Sequence, residues 1–437
     1  MKKRMKVLVI GSGGREDALV ELIRRSSLIS DIYCAPGSDG IARRPKAHCL
    51  PKLTADNLLG LARFAKNNNI GLTVIGPEAP LVNGIVDIFK SFGLKIAGPS
   101  AAAAQLEGSK VWAKIFMEKN CIPTADFQIF GNPEKAEKYA IANLPCVVKA
   151  DGLAGGKGAI ICKTKEEVAT AIQRIMVDKE FKESGKQVVV EDFLVGEEAT
   201  FMILTDGHAA IPLLSTQDHK PVFDGDRGPN TGGMGAYTSP KAVTPELARA
   251  AMETIVWPTL IGMRKEGTPY KGILYIGLMI TKDGPKVLEY NVRFGDPELQ
   301  PLVPLLQSDI VPFLLGIANG KFPKELLEEG IKWNEGSAVC VVMASEGYPN
   351  KPDKYQKSKE IRGLDEAAKM EGVEIFHAGT KTENGLWKTN GGRVIGVTVK
   401  GADITVVIDR AYSEVIPQIS FEGAHYRKDI GVKALLR

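Results

Sequence analysis

The sequence contains few of the residues and spacings that build metal clusters, disulfide frameworks or membrane spans. Its six cysteines show no CxxC spacing and its five histidines form no HxxxH or HExxH pattern, so neither residue type predicts a zinc site. The apolar run at residues 6–10 is far shorter than the roughly 20 residues that cross a bilayer. We therefore expect free thiols in a reducing compartment, a cytoplasmic location and no membrane partner.

An excess of one charge is also missing. The net charge is +4 over 437 residues, and the lysines and arginines are interleaved with acidic residues instead of forming a run. A nucleic-acid-binding surface needs a basic patch or stripe, so no nucleic-acid partner is expected. A chain of this length exceeds a single hydrophobic core, and roughly 150 residues per domain suggests about three domains.

The most informative polar residues lie at residues 285–297, PKVLEYNVRFGDP. Alternation predicts a strand that carries Glu289, Asn291 and Arg293 on one face, with Leu288 on the other. A carboxylate and an amide oxygen suit Mg2+, and the arginine offers a planar fork for a phosphate or carboxylate. The alternative is a buried ion pair between Glu289 and Arg293 that closes a sheet edge.

Near the N-terminus, a strand at residues 6–10 runs into a glycine turn and an apolar-periodic helix. Glycines at such a turn let backbone N–H groups approach an anion at the helix N-terminus. The spacing is not G-x-G-x-x-G, which favours a bound phosphate over a nicotinamide cofactor. Further strands at 31–35, 72–75 and 94–97 predict a βαβ-type domain over the first hundred residues. Plain turn chemistry is the alternative for the glycines.

Residues 145–162, PCVVKADGLAGGKGAIIC, predict a hairpin with a flexible tip that contains Lys149 and Lys157. Glycines beside two lysines suit triphosphate binding and lid closure. The order of a P-loop is missing, and a flexible hairpin with solvated lysines is the alternative.

A strand at 187–191 leads into apolar residues that could enclose an adenine, with Glu198 accepting ribose hydroxyls; any ordinary strand exit would look similar. Residues 217–237 are expected to form a long polar loop, and their composition favours a functional loop. We also expect helices at 109–120, 165–176, 245–265 and 302–319. The tail, with strands at 338–344, 373–378 and 393–400, is expected to form a small α+β domain.

The chain resembles the ATP-grasp superfamily in the order of four features, which are Lys110, the glycine-rich loop, the strand exit at 191–198 and the Glu289/Asn291 pair. More narrowly, it is similar to the phosphoribosylamine–glycine ligase family, also called the glycinamide ribonucleotide synthetase family. The motifs that carry this resemblance are GSGGRE at 11–16, KADGLAGGKG at 149–158, QDHK at 217–220, GPNTGGMGAY at 228–237 and NVRFGDPE at 291–298. Together they cover nearly the whole chain.

The resemblance implies an α/β and α+β multidomain fold. Its parts would be an N-terminal Rossmann-like pre-ATP-grasp domain at residues 1–107, an ATP-grasp domain at 108–332 with a mobile lid at about 124–195, and a small C-terminal α+β domain at 333–437. The chain is expected to be a monomer or a homodimer that acts on small molecules.

The resemblance also implies ATP-dependent ligation of glycine to 5-phosphoribosylamine through glycyl phosphate, in de novo purine (IMP) biosynthesis, with ATP and Mg2+ or Mn2+ as cofactors. The implied catalytic residues are Arg293, Lys149 and Asp218, and the implied metal ligands are Glu289 and Asn291. The implied ATP-binding residues are Lys110, Lys149, Gly155, Gly156, Lys157, Glu191, Phe193, Leu194 and Glu198. The implied substrate-binding residues are Gly11, Gly13, Gly14, Arg15, Asp218, Asp224, Asn230, Arg293, Gly295 and Asp296.

One departure and two alternatives accompany this interpretation. Asp17 replaces the histidine that usually follows GRE in the family, and we expect its carboxylate to repel a phosphate bound at the glycine turn. The alternatives are another ATP-grasp ligase or carboxylase acting on a related ribonucleotide, and a non-catalytic nucleotide sensor.

Overall fold

The computed structural model of this protein describes residues 4–238, 242–350 and 352–436. Its N-terminal part is a five-stranded parallel sheet, as the βαβ pattern predicts. The strands are Met5–Gly11, Ile29–Pro36, Ala47–Cys49, Ile70–Ile75 and Ile96–Ala97, in the spatial order third, second, first, fourth, fifth. Because this order reverses between the first and fourth strands, their carboxyl ends form the crevice where open α/β sheets bind ligands.

Helices cover this sheet because their apolar residues recur every three or four positions. In helix Gly14–Arg24, for example, Ala18, Leu19, Leu22 and Ile23 are all buried. The other helices here are Asp39–Ala42, Leu58–Asn67, Glu78–Val82, Ile85–Ser91 and Gln105–Gly108.

A second, smaller unit is an antiparallel sheet with its own core. Its strands, in spatial order, are Phe127–Phe130, Val188–Asp192, Cys146–Ala150 and Ala159–Cys162. Helices Pro133–Ala142 and Lys165–Ile172, the latter extended by a π-helical turn at Gln173–Val177, pack on it around Val148, Val168 and Ile175. Strand Cys146–Ala150 and the edge strand Ala159–Cys162 form the predicted hairpin, and the glycine-rich loop connects them.

The largest sheet has nine strands and continues into the C-terminal region. Its members are Glu197–Thr205, Ala210–Pro212, Thr216–Asp218, Gly235–Thr238, Gly272–Thr281, Gly284–Asn291, Ser337–Ala344, Val373–His377 and Arg393–Gly401. Strand Gly235–Thr238 pairs with Ser337–Ala344 across the expected domain boundary, with Ala236 opposite Cys340. The C-terminal region is therefore joined to the ATP-grasp region by backbone hydrogen bonds as well as by side chains.

The remaining helices surround this sheet. They are Lys110–Lys119, Pro245–Ala251, Trp257–Lys265, Val311–Asn319, Lys324–Glu329, Leu364–Ala367 and Ile404–Arg410. A π-helical turn at Met252–Val256 connects the second and third of these, so the predicted helix at 245–265 is nearly continuous. None of the helices in the described residues is long and apolar enough to cross a membrane.

Two expectations about local structure are wrong. The helix expected at 302–319 begins only at Val311, because the preceding segment pairs with residues 332–334 and Asp309 accepts the Val311 N–H at 2.9 Å. The loop expected at 217–237 is largely paired. Its ends lie in the large sheet, and its middle forms the hairpin Pro221–Phe223 and Arg227–Asn230.

Candidate active site

A polar cavity of about 320 Å³ lies where the N-terminal crevice meets the end of strand Gly284–Asn291. Its walls combine residues from the parallel sheet, the glycine-rich loop, the large sheet and the C-terminal region. Among the predicted site residues, the cavity is lined by Arg15, Lys110, Gly155, Gly156, Asp218, Asn230, Glu289, Asn291, Arg293 and Asp296. The fold thus brings together residues that are up to 281 positions apart in sequence, from Arg15 to Asp296.

The predicted metal pair lies at the end of its strand, but a β-bulge changes the expected alternation. Glu289 is opposite Gly277 while Val287 is opposite Leu278, so Leu288 is the extra residue. Leu288 therefore lines a cavity together with Glu289, whereas we expected it on the opposite face. The bulge aims two consecutive side chains at one site.

Glu289 suits a divalent cation. In the described parts of the chain its carboxylate has no hydrogen bond or ion pair within 4 Å, although it lines both cavities. Burial would raise the pKa of Glu289, but Lys220, Lys110 and Lys149 outweigh burial and keep it below its ordinary value. Asn291 presents its side-chain oxygen beside it, 3.2 Å from Arg293 Nη2. The pair thus offers two hard oxygen ligands, an anionic and a neutral one.

Arg293 is held by two carboxylates of the N-terminal region. Its Nη2 lies 3.2 Å from Glu107 Oε1 and its Nε lies 3.4 Å from Glu78 Oε2. The ion pair between Glu289 and Arg293, which was the alternative to a metal site, is absent among the described residues. Glu107 also accepts the Val292 N–H at 2.7 Å, and its burial raises its pKa to about 7 despite the nearby arginine. Sequence inspection missed Glu78 and Glu107 because they carry no motif of their own.

Asp218 is paired with Lys220, a residue that the motif QDHK contained but that we did not select. Lys220 Nζ lies 3.2 Å from Asp218 and 3.4 Å from Glu198 Oε2. The lysine also stands close to Glu289 and to Tyr275, two further cavity residues. Alternate positions of a strand share a face, so the spacing of Asp218 and Lys220 was a usable signal.

A second cavity of about 110 Å³ opens between the small sheet and the large sheet. It contains the predicted adenosine residues Glu191, Phe193, Leu194 and Glu198, together with Lys149. Its apolar walls come from residues such as Val147, Ile161, Leu278, Met279 and Leu288. Apolar walls with a few polar groups are typical of a site for a flat heterocycle.

A buried charge cluster forms the floor of this second cavity. Lys149 Nζ lies 2.8 Å from Glu191 Oε2 and donates to the Leu288 carbonyl at 2.9 Å. Lys114, which we did not select, lies 3.3 Å from Glu191 Oε1, and burial lowers the pKa of Lys114 to about 8. Two lysines that share one carboxylate leave net positive charge at the floor of the pocket.

The glycine-rich loop closes over the large cavity. Lys110 Nζ donates to the Gly152 carbonyl at 3.2 Å, and Gly156 approaches the Thr231 carbonyl so closely that a Cβ would lie 3.1 Å from it. Lys157 departs from the expected position, because its Nζ donates to the Pro349 carbonyl at 2.7 Å instead of lining either cavity. The loop tip is therefore tied to the C-terminal region.

Two N–H groups of the N-terminal glycine turn are bound by a carboxylate of the following helix. The N–H groups of Ser12 and Gly13 donate to Glu16 Oε2 at 3.2 and 2.6 Å, and Arg15 Nε contacts the other oxygen of the same carboxylate. Of this turn, Arg15 lines the large cavity, while Gly14 lies close to Asp296. Gly11 has φ +123°, a backbone conformation that favours glycine.

The expectation about Asp17 is wrong. Its carboxylate is fully buried, is bound by Arg44 at 2.7 and 3.0 Å, and accepts the His377 N–H at 2.8 Å. It therefore points away from the glycine turn and towards the C-terminal region, where it cannot repel a bound phosphate.

Asp296 faces the large cavity and is held by Arg393 Nη2 at 2.8 Å. Arg393 also donates to the Gly232 and Asp296 carbonyls at 2.6 and 2.7 Å, although sequence inspection found no motif around it. Gly295 packs against Glu298, and a Cβ there would lie 2.5 Å from Glu298 Oε2. Asp224, in contrast, lies outside both cavities and accepts the Lys428 N–H at 2.8 Å.

Comparison with protein families accounts for almost the whole chain. Residues 5–107 match the phosphoribosylglycinamide synthetase N domain, residues 108–299 match the phosphoribosylglycinamide synthetase ATP-grasp (A) domain, and residues 338–433 match the C domain. The chain belongs to the phosphoribosylglycinamide synthetase family. The recognised resemblance and the predicted fold class, with its ATP-grasp domain, are thereby confirmed.

Relatives of this family are similar along their full length. The phosphoribosylamine–glycine ligase of Clostridium acetobutylicum is 46% identical over 428 residues, which are 98% of this chain and 99% of that protein. The crystal structure of the phosphoribosylamine–glycine ligase of Thermotoga maritima aligns with a TM-score of 0.81 at 34% identity, covering 97% of this chain and all of that one. A biotin carboxylase domain from Hydrogenobacter thermophilus shares the fold at 17% identity, with a TM-score of 0.71 and coverage of 98% and 92%.

Proposed function

We propose that this chain catalyses the ATP-dependent ligation of glycine to 5-phosphoribosylamine, giving glycinamide ribonucleotide, ADP and phosphate. The relatives that it matches end to end carry the name of that ligase. The observation that carries the proposal is that the two cavities meet. Asp218, Lys220 and Glu289 line both of them, so a nucleotide in the apolar cavity would direct its phosphates into the polar one.

The apolar cavity would hold ATP. Phe193 and Leu194 would enclose the adenine, while Glu191 and Glu198 would bind polar groups of adenosine. Lys149, Lys110 and the loop glycines Gly155 and Gly156 would bind the phosphates, and Lys157 would act on them only by fixing the loop.

Glu289 and Asn291 would hold a divalent cation, either Mg2+ or Mn2+. Such an ion, when bound, offsets charge on the phosphate oxygens during transfer. The lysines around Glu289 keep its carboxylate ionised, which a metal ligand requires.

The polar cavity would hold glycine and 5-phosphoribosylamine. Arg293 and Asp218 would bind the carboxylate and the ammonium of glycine, with Asn230 near them and Asp224 contributing only through the loop. Arg15, at the glycine turn of Gly11, Gly13 and Gly14, would bind the sugar phosphate, and the Gly295–Asp296 turn would contact the sugar.

The proposed chemistry is formation of an acyl phosphate followed by attack of an amine. A glycine carboxylate oxygen attacks the γ-phosphorus of ATP, with Lys149 and Arg293 offsetting negative charge. The closed glycine-rich loop excludes water, which would otherwise hydrolyse glycyl phosphate. A place in purine biosynthesis and a cytoplasmic location belong to the same proposal.

Omission experiments test the proposal. Purified protein with ATP, glycine and 5-phosphoribosylamine should form glycinamide ribonucleotide and ADP in equal amounts, measured by mass spectrometry. Product that depends on bicarbonate and not on glycine would indicate a carboxylase, and absence of ADP under all conditions would indicate a nucleotide sensor.

A further inference from the structure

The polar cavity contains one carboxylate that the proposed chemistry leaves without a role. Among the described residues, six carboxylates line the cavity, and four of them contact a lysine or arginine: Glu78 and Glu107 contact Arg293, Asp218 contacts Lys220, and Asp296 contacts Arg393. Glu289 is the proposed metal ligand. This leaves Glu298, which lies within 4 Å of no lysine or arginine in the part of the chain that the structure describes.

The Glu298 carboxylate is fixed through one of its oxygens. Tyr275 donates its hydroxyl to Glu298 Oε1 at 2.8 Å, and Thr200 Oγ1 donates to the same hydroxyl at 3.1 Å. Burial raises the pKa of Tyr275 well above its usual value, so the hydroxyl stays a donor. Oε2 lies over Gly295, where any side chain would collide with it. The Tyr275 hydrogen bond therefore orients the side chain of Glu298, which lines the polar cavity.

The surroundings of Glu298 favour the uptake of a proton. Burial, and secondarily the Asp218 carboxylate, raises the pKa of Glu298 to about 7, although Lys220 and the Tyr275 hydroxyl act in the opposite direction. A carboxylate with such a pKa can accept a proton and release it again near neutral pH. The titratable and charged groups that face Glu298 are Asp218, Lys220, Tyr275, Arg293, Cys340 and Arg393.

We propose that Glu298 is the catalytic base of the ligation step and takes the proton from the attacking amine. The inference rests on the proposed function. The nitrogen lone pair of 5-phosphoribosylamine forms a bond to the carbonyl carbon of glycyl phosphate. The bond between that carbon and the oxygen that carries the phosphoryl group breaks, and inorganic phosphate leaves with the electron pair of the broken bond. The N–H proton moves to Glu298 Oε2 and then to water.

The test uses E298Q, which keeps the oxygen that accepts from Tyr275 and removes only the basicity. With phosphoribosylamine, kcat/KM should fall by roughly 100-fold or more, the usual contribution of a general base. Hydroxylamine is a nucleophile that is uncharged and weakly basic at neutral pH, so it attacks glycyl phosphate without a base. Glycine hydroxamate should therefore form at the wild-type rate in E298Q.

A pH profile adds a second readout. In wild type, kcat/KM for the amine should decrease as the pH falls through about 7, because Glu298 becomes protonated there. In E298Q that decrease should disappear. E335Q, the same substitution at an exposed glutamate, should match wild type in every assay.

Each outcome decides a different question. Wild-type ligation by E298Q would overturn the inference, as would parallel loss of ligation and hydroxamate formation, which would place Glu298 in glycine activation. Failure of the wild-type protein to form glycinamide ribonucleotide would instead refute the proposed function, and the inference with it.

Discussion

Replacement of Asp17 by asparagine should destabilise the protein without changing its affinity for substrate. Asp17 is fully buried, binds Arg44 through two hydrogen bonds and accepts the backbone N–H of His377. It thereby ties the N-terminal region to the C-terminal region. Asparagine keeps the shape and one acceptor oxygen, but it loses the charge and directs an amide donor at another donor.

The size of the expected loss of unfolding free energy depends on the hydrogen-bond partners that Arg44 retains in D17N. Removal of one partner from a buried ion pair costs about 3–5 kcal/mol when the other charge is left uncompensated. Arg44 retains Glu21 Oε2 at 3.2 Å and the Ile375 carbonyl at 2.8 Å, and its side chain is 18% exposed. We therefore expect D17N to lose less than that range, about 2–3 kcal/mol of unfolding free energy.

Urea denaturation measures this loss, because the Trp387 ring lies 4.4 Å from the His377 ring, tilted by 31°, and its fluorescence reports on the same contact. D31N, at a partly exposed aspartate in the neighbouring strand Ile29–Pro36, is the matched control and should change stability by less than about 0.5 kcal/mol. KM for 5-phosphoribosylamine should be unchanged in D17N. An unfolding midpoint equal to that of wild type, or an altered KM, would refute the assigned orientation of Asp17.

The remaining predictions concern the reaction. E289Q and N291L should abolish turnover. Both variants should keep the wild-type unfolding curve, because both side chains line cavities. Near-normal activity at saturating Mg2+ would contradict the metal assignment. K157M should raise the ratio of ADP to glycinamide ribonucleotide above one, because the loop loses its contact with Pro349 and water reaches glycyl phosphate. In the control variant K157R the same ratio should stay near one. With carboxyl-18O glycine, one labelled oxygen should appear in inorganic phosphate, and unlabelled phosphate would exclude glycyl phosphate.

The periodicity of apolar residues predicted those strands and turns that a few neighbouring residues determine. The N-terminal strands, the hairpin around Lys149 and the strand carrying Glu289 and Asn291 were all expected from periodicity, and the structure contains them. Register within that last strand was not predictable, because the bulge at Leu288 depends on pairing with Gly277, which has no local signature. The same limit explains why the segment before Val311 was expected to be helical although it pairs with distant residues.

Site residues were missed where their role depends on a partner far away in the sequence. Glu107 belongs to the site because it binds Arg293, 186 positions away in the sequence. Arg393 belongs to it because it binds Asp296, 97 positions away. Lys157 shows the converse, since its glycine-rich surroundings suggested a phosphate contact and its actual acceptor is a carbonyl in another region. Motifs therefore identified residues that line the cavities better than residues that hold those residues in place.

The continuity of the large sheet explains why the C-terminal region contributes to the site. Because Ala236 pairs with Cys340, the strand Arg393–Gly401, which pairs with Ser337–Ala344, starts beside the GPNTGGMG segment. Arg393, the first residue of that strand, can then reach the Gly232 carbonyl and Asp296 together, and the Tyr348 hydroxyl accepts the Gly232 N–H at 3.0 Å. The C-terminal region therefore holds Asp296, the loop at Gly232 and the tip of the glycine-rich loop in place. A boundary drawn from sequence at residue 333 would separate the cavity from the residues that keep it in shape.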